Sequence, residues 1–272
     1  MTKRALIKRT ATLILAGLLT FGAAAPAPAK AATKYVTKEA DIPLSSNVKV
    51  ASVKINNRRG PVTFNIYAQK GFGINKKSFI YNHGCAASAL TTVLNAYSKK
   101  YKNYTPTMTY KNAEKSAFGK KTWNKNYKKR MSAQRPVSIC GISKVLTKSG
   151  ISNKYVRKFS NKKALTDIEK HLYKGNIVVI ETNNRAQVNG RYVGKKVTKW
   201  AGSKHTMVLL GMTDTGKVIV ADSSRRPWAG SMQRVKLGNL EEIVKYMIPC
   251  KNNKKYMYYH KLVDSGGYIL VN

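Results

Sequence analysis

The chain predicts an α+β fold, with helices in its N-terminal half packed on an antiparallel sheet in its C-terminal half. Three observations lead there. From Ala86 the apolar residues Ala86, Leu90, Val93, Leu94 and Tyr97 recur at helical spacing. The stretches "VSICGISKVLTKSG" (137–150) and "KALTDIEKHLYKG" (163–175) keep an amphipathic period, and glycine stops each of them. Beyond residue 175 the pattern changes to short apolar, β-branched runs separated by turn residues. Helices first and strands second is the order of an α+β arrangement.

Taken in order, residues 47–69, "NVKVASVKINNRRGPVTFNIYAQ", alternate as two strands around a turn near Arg59-Gly60. The helix over 86–97 makes Cys85 its first residue or its cap. The helices of 137–150 and 163–175 follow. "NIVVIET" (176–182), "KHTMVLLGMT" (204–213) and "GKVIVADSS" (216–224) read as strands, the last two joined by a tight turn at Asp214-Thr215-Gly216. "LGNLEEIVKYM" (237–247) reads as a helix, and "GGYILVN" closes the chain as a strand. Residues 47–272 contain no linker and form one domain, preceded by a flexible lead-in, "ATKYVTKEADIPLSS" (32–46).

The first 31 residues read as a secretory signal peptide. Lys3, Arg4, Lys8 and Arg9 form a basic start, "ATLILAGLLTFGAAA" an apolar stretch, and Ala29-Lys30-Ala31 a small-x-small cleavage site, with cleavage placed after Ala31. The apolar run is short for a membrane span, which needs about 20 residues. No second long apolar run follows, so the exported protein should carry no transmembrane segment. Charge is the most unusual global feature. The chain has 51 Lys plus Arg against 11 Asp plus Glu, and loss of residues 1–31 leaves 46 against 11, a net +35. Such a surface attracts polyanions. Export argues against a nucleic-acid partner, despite Lys and Tyr interleaved as in "KKYKNYTP". Anionic cell-wall polymers are the expected partners, for a monomer that is secreted, or loosely held at the wall, by a Gram-positive bacterium.

The three cysteines, Cys85, Cys140 and Cys250, are an odd count for an exported protein, which leaves at least one thiol outside any intramolecular bridge. Cys140 and Cys250 could be bridged, and two buried free thiols are the equal alternative, since both lie in apolar company. Cys85 is the candidate reactive thiol, because a helix N-terminus offers unpaired N–H groups and the positive end of the dipole. By its local sequence alone it reads equally well as a buried small residue. Of the four histidines, His171 sits mid-helix as a surface or packing residue, and His260 has no patterned acid after it. His205 opens an apolar strand, and Asp222 closes the next one 17 residues later. A hairpin brings two such residues together, and a carboxylate then fixes the imidazole tautomer so that its other nitrogen takes a thiol proton. An incidental cross-strand pair is the competing reading. Cys85, His205, Asp222 and His83 could in principle ligate zinc, but close-spaced ligand pairs are absent, so neither a metal nor a cofactor is expected.

"GCAASALTTVLNAY" and, about 120 residues later, "KHTMVLLGMTDTGKVIVADSS" resemble the papain-like cysteine peptidases of the bacteriocin-processing kind, above all the secreted relatives called peptidase C39-like. The resemblance implies a papain-like fold with Cys85 as nucleophile, His205 as base and Asp222 as its orienting acid. It also implies a glutamine whose amide completes the oxyanion hole, which nominates Gln69 in "VTFNIYAQ", with Asn82 as the fallback donor. Gln69 stands 16 residues before Cys85, so the intervening "KGFGINKKSFIYN" must fold aside. The implied activity is hydrolysis of a peptide or protein substrate through a thioester. The alternatives are a catalytically inactive module that binds anionic wall polymers and a hydrolase of peptidoglycan stem peptides.

Overall fold

The structure, a computed structural model, describes residues 34–44, 47–118, 139–183, 187–188, 191–192, 199–200, 204–224, 232–250 and 266–272. The segment read as a signal peptide, His260 and most of residues 184–203 lie outside the described residues. Strand β1 is Val36–Thr37, and β2 (Val50–Asn57) and β3 (Gly60–Tyr67) form an antiparallel hairpin. Helices α1 (Phe79–His83), α2 (Cys85–Tyr97), α3 (Pro106–Phe118) and α4 (Ile139–Lys148) follow. Then come β4 (Asn153–Val156), α5 (Asn161–Tyr173), β5 (Ile177–Thr182), and a small ribbon of β6 (Gln187–Val188) and β7 (Arg191–Tyr192). The chain continues through β8 (His205–Thr213), β9 (Val218–Ala221), β10 (Val235–Gly238), α6 (Leu240–Val244) and β11 (Tyr268–Val271).

The main sheet runs β10-β9-β8-β5-β11-β4, and every one of these neighbours is antiparallel. The α+β expectation is therefore met, with helices leading and the sheet following. Every residue of β5, β8 and β9 is buried, because the sheet is covered on both faces. Period-2 alternation divides their side chains. Val179, Val208, Ile219 and Ile269 pack with Leu90, Val93 and Leu94 of α2, Ile142 and Leu146 of α4, and Phe64 of β3. Val178, Ile180, Met207, Leu209 and Val220 pack on the other face with Ile168 and Leu172 of α5 and with Ile243 of α6. Near-continuous Val, Ile and Leu runs are what a strand buried on two faces requires.

One expectation needs correction. Part of the lead-in is docked: β1 pairs in parallel with Met212 and Thr213 of β8, and Tyr35 N–H donates to Tyr173 O at 2.9 Å. Val36 packs beside the core and Glu39 pairs with Lys217 at 2.7 Å, so this stretch has partners that its composition does not announce. Of the two readings open for Cys140 and Cys250, the structure has them without a bridge. Helix α4 lays Ile139, Ile142 and Leu146 on the α2 face of the sheet, whereas Cys250 follows Met247, which packs on the opposite face. Cys250 is held there by its own N–H to Arg157 O at 2.7 Å, with the Arg157 guanidinium 3.8 Å from its sulfur. His171 is a packing residue: its ring is buried, with Nε2 3.0 Å from Val271 O.

Candidate active site

Cys85 is the first residue of α2, a helix of 13 residues with Gly84 as its N-cap. Glycine brings no side chain to cap with, so the first-turn N–H groups keep their pull on a negative charge at the sulfur. Ala86, Ala87, Ser88 and Ala89 make the first turn small and let it bury against β3 and β8. Gly84 is required at the junction of α1 and α2. A Cβ there would lie 2.8 Å from Ile80 Cα and closer still to the Ile80 carbonyl oxygen, and neither is the flexible end of a side chain. Gly84→Ala is therefore expected to lower stability by about 1–3 kcal/mol, the usual range for overpacking. It should also slow Cys85 alkylation by displacing the helix start. Urea unfolding and iodoacetamide kinetics on the same variant check both.

His205 arrives from β8 and Asp222 from the residue just past β9. Both residues lie at the same end of the sheet, where the start of β8 pairs with the end of β9. His205 Nε2 lies 2.7 Å from Asp222 Oδ1, with the carboxylate fully buried and His205 only 4% exposed. That contact uses Nε2, which leaves Nδ1 as the ring nitrogen that can take the Cys85 thiol proton. Thr206 Oγ1 stands 4.0 Å from the sulfur. Burial pushes the Cys85 thiol up, but the hydrogen bond and charge of His205, with help from Thr206, outweigh it and hold the thiol below its ordinary value. A low thiol pKa beside an imidazole is the condition for a nucleophilic thiolate.

Gln69 is tied to two elements next to these residues. Its backbone N–H donates to Ser223 O at 2.8 Å, next to Asp222, and its side-chain Nε2 donates to Tyr81 O at 3.3 Å. The residue thus ties the exit of β3 to the end of β9 and to α1, with one amide hydrogen beyond the Tyr81 bond. Asn82 is placed differently. It is exposed, and its Nδ2 donates to Lys76 O at 2.9 Å and Ser78 O at 3.1 Å, which occupies both amide hydrogens. The fallback donor is accordingly turned toward the 76–78 turn. The segment between Gln69 and Cys85 folds as turns and α1, whose N-cap Ser78 accepts from Tyr81 N–H.

Sequence reasoning missed the shell around Asp222. Besides His205, its Oδ1 accepts the Ser224 N–H at 2.7 Å, and its Oδ2 is paired with the Lys236 ammonium. Lys236 also reaches Lys199 O at 3.5 Å. Arg234, 1% exposed, donates to the carbonyl oxygens of Asp222 (3.1 Å), Met232 (3.0 Å) and Ser224. The only trace in the sequence is "RVKLG", two cations at alternate positions of an apolar strand, and the surrounding 51 basic residues hide it. On the other side of His205, Lys204 pairs with buried Glu181 at 3.2 Å, and Thr182 Oγ1 donates to Trp200 O at 2.8 Å. These contacts clamp the strand on either side of the imidazole.

Residues 61–248, more than half of the chain, match the model of the Peptidase C39 like family. Among solved structures, the crystal structure of the Pseudomonas avirulence protein AvrPphB is similar at 8% sequence identity and a TM-score of 0.31. The match covers 74% of this chain and 95% of that one. No curated protein matches the chain.

Proposed function

The chain belongs to the Peptidase C39 like family, a cysteine peptidase type of protein, and on that premise we propose that it hydrolyses peptide bonds with Cys85 as nucleophile. The observation that carries the reading is the 2.7 Å contact of His205 Nε2 with buried Asp222, which leaves the other ring nitrogen for the Cys85 thiol. In the proposed cycle Cys85 Sγ attacks the substrate carbonyl carbon while His205 Nδ1 holds the thiol proton. The tetrahedral oxyanion is met by the Cys85 backbone N–H and the Gln69 amide. His205 then delivers its proton to the leaving amine as the C–N bond breaks, and a thioester remains. Water, deprotonated by His205, attacks the thioester, and the acid product leaves with regeneration of the thiol. One oxyanion donor is worth roughly 3 kcal/mol of transition-state stabilisation.

A random peptide library incubated with the protein without residues 1–31, read by mass spectrometry, tests this. Defined cleavage products that vanish after iodoacetamide treatment support it. An intact library, with Cys85 still alkylated readily, leaves only a binding role.

Charge supports a substrate or surface that is itself anionic. Residues 42–113, which carry Gln69 and Cys85, contain no Asp or Glu, nor do residues 182–213, which carry His205, or 223–240. We propose that the exported protein is held at an anionic wall polymer by this general attraction. Retention on cell walls should then fall steeply from about 0.05 to 0.5 M salt, because each neutralised anionic group releases a condensed counterion. Walls stripped of teichoic acid should retain little at any salt. Retention that ignores both manipulations would mean a dedicated binding site and would remove the charge reading.

A further inference from the structure

Antiparallel neighbours on one face of a sheet bring residues of three strands together here. Asp222 N–H donates to Arg234 O at 2.9 Å, so Asp222 and Arg234 are opposite one another, and Lys236 is the diagonal neighbour two residues along. Lys236 is 3% exposed and its side chain ends on Asp222 Oδ2, while Oδ1 faces His205. A lysine is rarely buried unless paired, and ordering its long side chain costs rotamer entropy. The Ser224 N–H and His205 both meet Oδ1, so the ammonium holds the other oxygen of the carboxylate and thereby its rotation.

We propose that Lys236 is a positioning residue of the active site, whose ammonium fixes the rotation of Asp222 and withdraws part of its charge from His205. The proposal rests on the peptidase reading of Cys85 and His205. Two physical consequences follow. Held at Oδ2, the carboxylate cannot rotate, so Oδ1 keeps its line to Nε2 and Nδ1 keeps its line to the sulfur. The cation also opposes the protonated imidazole, directly and by neutralising the carboxylate that would stabilise it. Hence His205 should release its proton at a lower pH than an Asp-His pair without the lysine. The charged and titratable groups around the pair are Cys85 from α2, Lys236 on β10, Arg234 at the Asp222 carbonyl, and the Glu181–Lys204 pair beside β8. The Asp222 carboxylate thus meets the Lys236 ammonium at Oδ2 and the His205 ring at Oδ1.

The test is the titration of His205 by NMR of histidine-labelled protein, with His205→Ala used for assignment, in wild type and Lys236→Gln. Lys236→Gln is expected to raise the pH of His205 deprotonation by on the order of one unit, a tenfold change in the imidazolium equilibrium. A lysine that merely packs would lower stability and leave that titration where it was, and an unshifted Lys236→Gln overturns the proposal. Should Lys236→Gln fail to fold, the wild-type protein with labelled lysine decides. The Lys236 ammonium resonance must then move as His205 loses its proton, and an ammonium that ignores that step also overturns it. Neither measurement uses a substrate. A wild type that cleaves nothing therefore defeats the peptidase reading alone, and a cleaving wild type with an unshifted variant defeats the lysine alone.

Discussion

Cys85→Ala is expected to lower kcat/KM on any cleaved peptide by at least about 10⁴-fold, the scale on which loss of one member of a nucleophile-base unit acts. Its stability should stay within about 1 kcal/mol of wild type, since the substitution creates little void. Cys85 is half-buried, and the side-chain approach to its sulfur from Thr206 Oγ1 is a long one, at 4.0 Å. His205→Ala should cost activity on the same scale by a different route. It removes the proton acceptor and also the group that holds the thiol pKa down. Alkylation of Cys85 near pH 6.5 should therefore slow in His205→Ala, because the thiolate fraction falls when the pKa rises. Progress curves for both variants, with circular dichroism as the control on folding, decide the matter. Residual cleavage within tenfold of wild type would place the activity in another residue.

The fold was legible where one residue's surroundings are set by its own segment. The hairpin of 50–57 and 60–67, the helix from Cys85, and the strands ending at Thr182 and Ala221 were readable because their apolar period is unbroken. The docking of Val36–Thr37 was not, because a two-residue strand has no period and its partner, Met212–Thr213, is 176 residues away. At the site, His205 and Asp222 could be paired from a hairpin argument, and Cys85 from its place before a helix. Lys236 could not. Its ammonium is set by Asp222 on the neighbouring strand and by the Lys199 carbonyl, 37 residues away in the chain. No local pattern marks a lysine as buried in a chain this basic. The absence of a Cys140–Cys250 bridge has the same origin, since only the tertiary fold decides which sheet face each thiol approaches.

The pairing of Asp222 with Lys236 makes stability and activity separable. Asp222→Ala leaves the Lys236 ammonium buried without a counter-charge, and breaking a buried pair in this way typically costs about 3–5 kcal/mol. The same substitution frees His205 Nε2, so the imidazole loses its fixed tautomer, and kcat/KM should fall by about 10³–10⁴-fold. Asp222→Ala combined with Lys236→Met removes both charges. The buried cation is then gone, so most of the lost stability should return, because replacing a whole buried pair by apolar groups is often close to neutral. Activity should not return, since nothing orients His205. Urea unfolding and kcat/KM on the two single variants and the double variant give four corners of a cycle for each quantity. Strong recovery of stability with none of activity is the expected pattern. If the double variant stays as unstable as Asp222→Ala, the carboxylate is held mainly by His205 and the Ser224 N–H, and the ion pair is not what stabilises this end of the sheet. If activity recovers with stability, Asp222 serves the fold alone, and another group must orient the imidazole.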